Sequence, residues 1–329
     1  MDGKRGAVAA CALAIVCTVG TPARAHTRPL LVGVADQSPS TFSNRLYRRL
    51  GLPVSRLMVP LDAALDPDRR EWVSHWLDAA KHDGVQPLVA FSRFYGTPVT
   101  LPSVAEYRRA FLAFRQAFPQ VTEFIPWNEE NHRAQPTFRR PGRAAAYYEV
   151  MRNNCPGCQI LAADVLDSHG AGNWIRKFMH ALHGPPPHLW GLHNYIDANR
   201  HRPVVHSGTA KISELVPGTI WLTETGGLVQ TAVHPYNEKR AARAIRYLFT
   251  IANALRSRVA RVYVYNWRGV VDAQTALEQP LAWDSGLTEP DGKPRPGYYA
   301  LRYQLERLHL GCWSRDALFS TAPWLAGCF

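Results

Sequence analysis

Eight short apolar segments alternate with longer helix-like segments along the chain, and this alternation constrains the fold more than any other feature. The strand-like segments are rich in Val, Ile, Leu and aromatic residues, and they span residues 30–36, 54–61, 85–92, 122–129, 158–167, 189–197, 219–227 and 261–269. Near-continuous apolar strands separated by helices indicate a parallel sheet that is buried on both faces. Eight such units in about 250 residues predict an α/β fold, a single (β/α)8 TIM barrel. An open, doubly wound sheet is the alternative.

The segments between the strands carry the spacing of amphipathic helices. In residues 237–257 the apolar positions recur at intervals of three and four, at Ala241, Ala244, Ile245, Leu248 and Ile251. This spacing predicts a helix whose apolar side packs on the sheet. Aromatic residues at helical spacing elsewhere are predicted to form the outer layer of the core, and they are Trp72, Trp76, Tyr107, Phe111 and Tyr147.

The first 25 residues have the pattern of a secretory signal peptide. Lys4 and Arg5 precede an apolar run at residues 7–20, and Ala23-Arg24-Ala25 resembles a cleavage site. The run is shorter than the roughly 20 residues that a spanning helix needs, which favours cleavage over a lasting membrane anchor. We therefore expect a signal peptide over residues 1–25, a barrel over 26–310 and a C-terminal tail over 311–329. The mature protein is expected to be secreted, extracellular or associated with a cell wall.

Cysteine usage agrees with export. Two of the six cysteines lie in the predicted signal peptide, which leaves Cys155, Cys158, Cys312 and Cys328. An even number of cysteines in an exported protein favours disulfides, and the pairings nearest in sequence are Cys155–Cys158 and Cys312–Cys328. A zinc site is one alternative, although only one CxxC motif is present. A redox-active CxxC is another, although this motif follows a predicted helix and precedes a strand.

The net charge of +12 allows an anionic cell-wall polymer as a partner, but an arginine-rich background explains it equally well. The basic residues are mostly single arginines spread along the chain, without a Lys/Arg run or a recognisable nucleic-acid module, so no nucleic-acid partner is predicted. The chain lacks HExxH, P-loop and G-x-S-x-G motifs. A metal-dependent barrel hydrolase usually has H-x-H after its first strand, whereas this chain reads Val34-Ala35-Asp36. No metal and no organic cofactor are expected.

Polar residues gather where the predicted strands end, and the C-terminal ends of barrel strands are where active sites lie. These residues are Asp36, 128–131, Asp164, Asp167, 193–195, Glu224 and 266–267. Two strands end with a carboxylate, since Glu129 follows the apolar run of strand four and Glu224 follows that of strand seven. Such strands can point two carboxylates at each other across the barrel mouth. This pair suits glycosidic bond cleavage, in which one carboxyl group protonates the leaving oxygen and the other attacks the anomeric carbon.

The ordered set of motifs resembles the clan A retaining glycoside hydrolases. IPWNEEN (125–131) is similar to the clan's strand-four signature, and WLTETGG (221–227) is similar to its strand-seven signature. HNY (193–195) and YNW (265–267) match the strand-six and strand-eight motifs in type and order, and residues 284–302 resemble the hairpin that leads into the clan's last helix. The resemblance covers nearly the whole mature chain, and families 5 and 39 are the most similar in pattern.

This resemblance implies a retaining O-glycoside hydrolase that acts on a polysaccharide or glycoconjugate by double displacement. Glu224 matches the nucleophile, Glu129 matches the general acid/base, and Asn128 matches the residue that binds the substrate 2-hydroxyl. The two carboxyl groups are expected about 5–5.5 Å apart, as retention requires. The mechanism also needs a raised pKa for Glu129 in the free enzyme, which we expect the nearby Glu224 carboxylate to supply.

The resemblance assigns further residues to the substrate site. Tyr195 matches the partner that hydrogen-bonds the nucleophile, and His193, two residues earlier, is expected on the same strand face. Trp267 matches the aromatic floor beneath the sugar, and Arg56 on strand two matches the arginine that steadies the nucleophile. Each has a simpler reading: His193 as a buried histidine under the loops, Arg56 as one half of an ion pair, and Trp267 as packing at the barrel mouth.

Glu130 departs from the clan pattern, because many members have Pro after the acid/base. Successive strand residues point to opposite faces, so only one of Glu129 and Glu130 is expected to face the barrel mouth. The resemblance favours Glu129, which directly follows Asn128. A second functional hypothesis is a non-catalytic carbohydrate-binding TIM-barrel protein of the cell envelope. The presence of both Glu129 and Glu224 argues against it.

Overall fold

The computed structural model of the protein describes residues 29–93 and 100–309. The predicted signal peptide, the predicted tail and the predicted Cys312–Cys328 pairing lie outside these residues.

The nine strands of the described residues are β1 (Leu31–Ala35), β2 (Val54–Pro60), β3 (Gln86–Ser92), β4 (Glu123–Ile125), β5 (Gln159–Ile160), β6 (Asp164–Leu166), β7 (Leu189–His193), β8 (Thr219–Thr225) and β9 (Val259–Tyr265). The ten α-helices there are α1 (Ser40–Ser43), α2 (Arg45–Arg48), α3 (Pro67–His82), α4 (Val104–Ala117), α5 (Pro141–Asn154), α6 (Ala171–His180), α7 (Tyr195–Arg200), α8 (Gly208–Leu215), α9 (Glu238–Ala254) and α10 (Pro296–His309). Single 3-10 turns occur at Val204–His206 and Thr275–Leu277.

The strands form one parallel sheet that closes into the predicted (β/α)8 barrel. The first strand, β1, pairs with β2 on one side and with the last strand, β9, on the other. The fifth barrel strand is divided into β5, which pairs with β4, and β6, which pairs with β7. Between the two halves, Leu161 N–H donates to Phe124 O and Ala162 N–H donates to Leu189 O. The ring is therefore continuous, and β7, β8 and β9 are the sixth, seventh and eighth barrel strands.

Alternate residues of each strand pack inside and outside the ring, as the two-residue period of a strand requires. Leu88 and Ala90 of β3 belong to the small cluster inside the barrel, whereas Val89 and Phe91 pack in the larger layer between strands and helices. The inner positions of β9 are Arg261, Tyr263 and Tyr265. The last of these lies at the C-terminal end of its strand.

Local sequence signals set the helix starts. Asp66 accepts a hydrogen bond from Arg69 N–H, with Pro67 as the first residue of α3. Ser103 and Glu106 form a reciprocal capping box at α4. In α9 every apolar position predicted to face the sheet is buried. Of the aromatic residues predicted for the outer layer of the core, only Trp72 is partly exposed.

Three details differ from or refine the sequence prediction. β4 ends at Ile125, so residues 128–130 lie in a turn rather than in a strand. β7 ends at His193, and Tyr195 begins α7, so the two side chains do not share a strand face. A disulfide joins Cys155 and Cys158 across a Cα separation of 5.5 Å, between α5 and β5 as predicted. None of the helices in the described part of the chain is long and apolar enough to span a membrane.

Candidate active site

A cavity of about 620 Å³ opens at the C-terminal ends of the strands, where barrel chemistry is expected. The predicted residues that line it are Asn128, Glu129, Tyr195 and Glu224. Arg56 and His193 are fully buried directly beneath them and bond to the lining carboxylates. The structure therefore brings six of the seven predicted catalytic and substrate-site residues together.

Glu224 lies near the end of β8 and is held through both carboxylate oxygens. Arg56 donates from Nη1 to Oε2 at 2.9 Å, and the hydroxyl of Tyr195 donates to Oε1 at 3.1 Å. Arg56 also donates from Nη2 to the side-chain oxygen of Asn128 at 2.6 Å. The contacts expected for the predicted nucleophile are present, although Tyr195 supplies its contact from a helix rather than from a strand.

Glu129 faces the same cavity from the turn after β4. Its backbone is in the left-handed region with φ of 53°, a conformation that a non-glycine residue adopts only when its surroundings hold it there. One carboxylate oxygen of Glu129, one nitrogen of His193 and one carboxylate oxygen of Glu224 all lie within 4.8 Å of one another. The nearest oxygens of the two carboxylates are therefore close enough for the spacing of about 5–5.5 Å between carboxyl groups that retaining glycosidases use.

Asp164 at the start of β6 connects the two halves of the site. Its Oδ2 accepts from Arg56 Nη2 at 2.8 Å and lies 2.9 Å from His193 Nε2, while its Oδ1 accepts from the Thr223 hydroxyl. Burial opposes the charge of Asp164, but His193 and Arg56 outweigh burial and lower its pKa to about 2. Gly191 provides the space, because a Cβ there would collide with the Asp164 carboxylate.

His193 lies between Asp164 and Glu129, with Nδ1 3.1 Å from Glu129 Oε1. Burial opposes a charged imidazole, but the charges of Asp164 and Glu224 outweigh burial and raise the pKa of His193 to about 10. For Glu129, burial raises the pKa, but the hydrogen bond and charge of His193 outweigh it, so the pKa lies below its ordinary value. The predicted raised pKa of Glu129 is therefore wrong, because the contact with His193 outweighs the effects of burial and of nearby carboxylates.

Glu130 is turned away from the cavity and is fully buried. Its Oε2 accepts from Asp164 N–H at 2.6 Å, and its Oε1 has no hydrogen-bond partner. Burial and the nearby charge of Asp164 raise the pKa of Glu130 well above its ordinary value. The prediction that Glu129 faces the barrel mouth and Glu130 does not is confirmed, but a turn rather than strand alternation separates them.

Trp267 is not the floor of this cavity. It is 3% exposed and packs edge-on against Tyr47 and Tyr298 in the core. Tyr265, the last inward-facing residue of β9, lines the cavity instead. Trp283, which is 49% exposed, also lines it and packs edge-on against Tyr195. The simpler reading of Trp267 as packing at the barrel mouth is the one that the structure supports.

A second cavity of about 920 Å³ adjoins the first on the side of β1–β3 and β9. The two cavities share Gln37, Met58 and Tyr265 as lining residues. Trp72 lines the second cavity and donates its indole N–H to Gln37 O at 3.2 Å. A partly exposed indole that lines a groove is a surface on which a sugar ring can stack.

Glu129, His193 and Glu224 form a donor set that could ligate a metal ion by distance alone. However, both nitrogens of His193 already contact carboxylates, and Arg56 places a permanent positive charge 2.9 Å from Glu224. A cation would have to displace these contacts and overcome that charge. These contacts disfavour a metal ion at this set of residues.

Three residues of the site were missed or left without a role by sequence reasoning. Asp164 had a usable signal, because it is an ionisable residue inside the apolar segment ILAADVL. Tyr265 could have been identified from the two-residue period of a strand, because it shares the inward face of β9 with Arg261 and Tyr263. Trp283 lies in an irregular loop that carries no periodic signal.

A family model described as "Glycosyl hydrolase catalytic core" matches residues 68–294, more than half of the chain. The chain belongs to this family. The matched range of the glycosyl hydrolase core contains Glu129, Asp164, His193 and Glu224. A sequence search of curated proteins gives no match.

Several solved structures share the fold of this glycosyl hydrolase core. A GH5_18 enzyme from Streptomyces cattleya in complex with GlcNAc is 17% identical, with a TM-score of 0.59, covering 86% of this chain and 81% of that one. A GH39 β-xylosidase from Caulobacter crescentus is 14% identical, with a TM-score of 0.61, covering 84% and 71%. A GH10 endoxylanase from a sugarcane soil metagenome is 14% identical, with a TM-score of 0.59, covering 84% and 97%. At these identities the likeness shows the (β/α)8 fold.

Proposed function

We propose that this glycoside hydrolase is a retaining enzyme, with Glu224 as the nucleophile and Glu129 as the general acid/base. The observation that carries the proposal is the placement of the two carboxylates. They come from opposite sides of one cavity, after β4 and on β8, and their nearest oxygens lie within 4.8 Å. That separation supports direct attack of Glu224 on the anomeric carbon, because inverting enzymes space their two carboxyl groups about 6.5–9.5 Å apart.

In the first step a Glu224 oxygen forms a bond to the anomeric carbon while the glycosidic C–O bond breaks and Glu129 supplies a proton to the leaving oxygen. In the second step Glu129 accepts a proton from water, which releases the sugar from Glu224. Arg56 and Tyr195 hold the two oxygens of Glu224 in position for the attack. The Asn128 amide is oriented by Arg56 and is proposed to bind the 2-hydroxyl of the sugar.

The substrate is proposed to be a polysaccharide or the glycan of a glycoconjugate. The two adjoining cavities support this choice, because together they extend from Trp283 to Trp72 across the mouth of the barrel. A single sugar would fill only part of this length. Trp283 and Trp72 are proposed to stack on sugar rings on the two sides of the cleaved bond.

Export and contact with an anionic cell-wall polymer also remain proposals. The N-terminal sequence pattern and the Cys155–Cys158 disulfide support an oxidising, extracytoplasmic location. A further cavity of about 580 Å³ adjoins the site at Asp167 and Ser168, and Arg176, Arg202 and Lys211 line it together with Glu214. These basic side chains support attraction to an anionic polymer.

The test is hydrolysis of a panel of aryl glycosides and polysaccharides, with NMR of the first-formed product to read its anomeric configuration. The expected result is retention, with Glu224→Ala inactive on every substrate. Glu129→Ala should lose several orders of magnitude on poor leaving groups and much less on activated aryl glycosides, where azide should restore turnover. Glu130→Gln is the matched control and should keep most activity.

Inversion of configuration, or azide rescue of a Glu130 variant instead of Glu129→Ala, would contradict the assignment. The alternative function is a non-catalytic carbohydrate-binding barrel. It predicts binding to the same panel without hydrolysis, and with equal affinity in the wild type and in Glu224→Ala.

A further inference from the structure

The imidazole of His193 makes two contacts that a neutral histidine cannot make with two ionised carboxylates. Its Nδ1 lies 3.1 Å from Glu129 and its Nε2 lies 2.9 Å from Asp164. An ionised carboxylate only accepts hydrogen bonds, and a neutral imidazole has a single N–H to donate. Both contacts are hydrogen bonds only when one additional proton is shared among these three groups.

Asp164 is not the carrier of that proton. Besides facing His193, its carboxylate accepts from Arg56 and from the Thr223 hydroxyl, and hydrogen bonds donated to a carboxyl group favour its ionised form. Arg56 is always protonated, and it is fully buried in direct contact with Asp164. The additional proton therefore belongs to the pair formed by His193 and Glu129.

We propose that His193 and Asp164 are positioning residues that store the catalytic proton: between turnovers it lies on the His193 imidazole, and it passes through Glu129 to the leaving oxygen as the glycosidic bond breaks. This inference rests on the proposed retaining function. The raised pKa of His193 and the lowered pKa of Glu129 agree with an imidazolium–carboxylate pair at neutral pH.

The proton balance closes over one turnover. As Glu224 bonds the anomeric carbon and the glycosidic C–O bond breaks, Glu129 takes the Nδ1 proton of His193 and passes it to the leaving oxygen, so Glu129 is again a carboxylate. The imidazole is then neutral and still donates from Nε2 to Asp164. When water attacks the glycosyl-enzyme, Glu129 takes a proton from the water and returns it to Nδ1, and the bond to Glu224 breaks to restore the carboxylate.

The charge of Glu224 gives the transfer its direction. The negative charge of Glu224 is one of the charges that hold the proton on His193. That charge is neutralised as the bond to the sugar forms, so the imidazolium becomes a stronger acid when the leaving oxygen needs a proton. Other charged and titratable groups that face the pair are Arg56 on β2, Glu130 and His132 in the segment after β4, Asp164 on β6 and Tyr195 at the start of α7.

The first measurement reads the resting protein without substrate. Histidine labelled with 15N is introduced, and the signal of His193 is identified among the 13 histidines of the chain by its loss in His193→Gln. The expected result is an imidazolium spectrum for His193 at pH 8. A neutral imidazole at that pH would overturn the proposal whatever the enzyme hydrolyses.

The second measurement is the pH dependence of kcat/KM on a substrate with a poor leaving group. The alkaline decline should lie near pH 10 in the wild type, where His193 loses its proton. Asp164→Asn keeps the shape of the side chain but removes the charge, so the decline should move to lower pH by roughly 1–3 units. Thr223→Val is the matched control, because it removes a hydrogen bond from Asp164 without changing any charge.

The outcomes distinguish the proposal of proton storage from the proposed retaining function. An imidazolium at His193 together with a shift in Asp164→Asn and not in Thr223→Val supports proton storage. An unshifted decline in Asp164→Asn, or an equal shift in Thr223→Val, would show that Asp164 acts only through packing and would overturn it. Retention of configuration and azide rescue of Glu129→Ala would still stand in that case, since they test the proposed function alone.

Discussion

Replacing Glu130 with Gln should make the stability of the protein less dependent on pH. The Glu130 carboxyl group is fully buried, and its pKa is raised well above the ordinary value. Below the pKa of the unfolded chain both states are protonated, and the group contributes no pH dependence. Above it the unfolded chain releases the proton while the folded protein keeps it, so the free energy of unfolding falls as pH rises.

The magnitude follows from the linkage between proton binding and folding. Each unit by which folding raises a pKa removes about 1.4 kcal/mol of stability once the pH exceeds the folded pKa. Gln keeps the shape and an oxygen that can accept from Asp164 N–H, but it has no proton to lose. Glu130→Gln should therefore gain stability relative to the wild type as the pH is raised from 5 to 9, and this difference should vanish only below the pKa of an unfolded glutamate, about 4.3.

Glu130→Ala separates the hydrogen bond from the charge. It leaves Asp164 N–H buried without an acceptor, which costs about 1–3 kcal/mol, and it opens a void. The assay is urea unfolding of the three proteins at several pH values between 5 and 9. Parallel stability curves for the wild type and Glu130→Gln would refute the reasoning about the buried acid. Equal stability of the Ala and Gln variants would refute the role of the hydrogen bond to Asp164.

Three further predictions concern the site and the opposite end of the barrel. Tyr195→Phe removes the hydroxyl that donates to Glu224 and should lower kcat on aryl glycosides roughly 10–100-fold, the range of a hydrogen bond to a charged group; an unchanged kcat would contradict this. Trp283→Ala should raise KM for oligosaccharides by up to roughly 30-fold with little change for aryl monosaccharides, because only a bound chain needs the exposed indole. Glu123→Ala leaves Arg261 buried without its carboxylate and should cost about 3–5 kcal/mol in urea unfolding, while kcat of the folded enzyme is retained.

The fold could be predicted from the sequence because the alternation of apolar strands and amphipathic helices is a property of local segments. The ends of the segments were less predictable. The apolar run FIPW continues beyond Ile125, so the sequence pattern did not show that β4 stops pairing at this residue. In the same way Tyr195 follows β7 without a break in the pattern but begins a helix. Where pairing ends depends on neighbouring strands, which a single segment does not contain.

The sequence predicted a residue's place in the site only where its chemical type and its location at the end of a strand were sufficient. Glu129 and Glu224 follow from their places at the ends of two strands. Trp267 was misassigned because an aromatic residue near a strand end can point into the core as easily as into the cavity. The pKa of Glu129 was misjudged because it depends on the charge of His193, which depends in turn on Asp164, a residue 29 positions away in sequence.

The arrangement of charges also explains why two similar carboxylates can take different roles. The contacts run from Glu224 to Arg56, to Asp164, to His193 and to Glu129, with alternating sign at each step. Arg56 cannot lose its proton, so Glu224 faces a permanent positive charge, which suits its proposed role as a nucleophile that must remain an anion. Glu129 faces His193, the one cation of this chain of contacts that can give up a proton and take it back. The partner cation, rather than the carboxylate itself, therefore distinguishes the proposed nucleophile from the proposed acid/base.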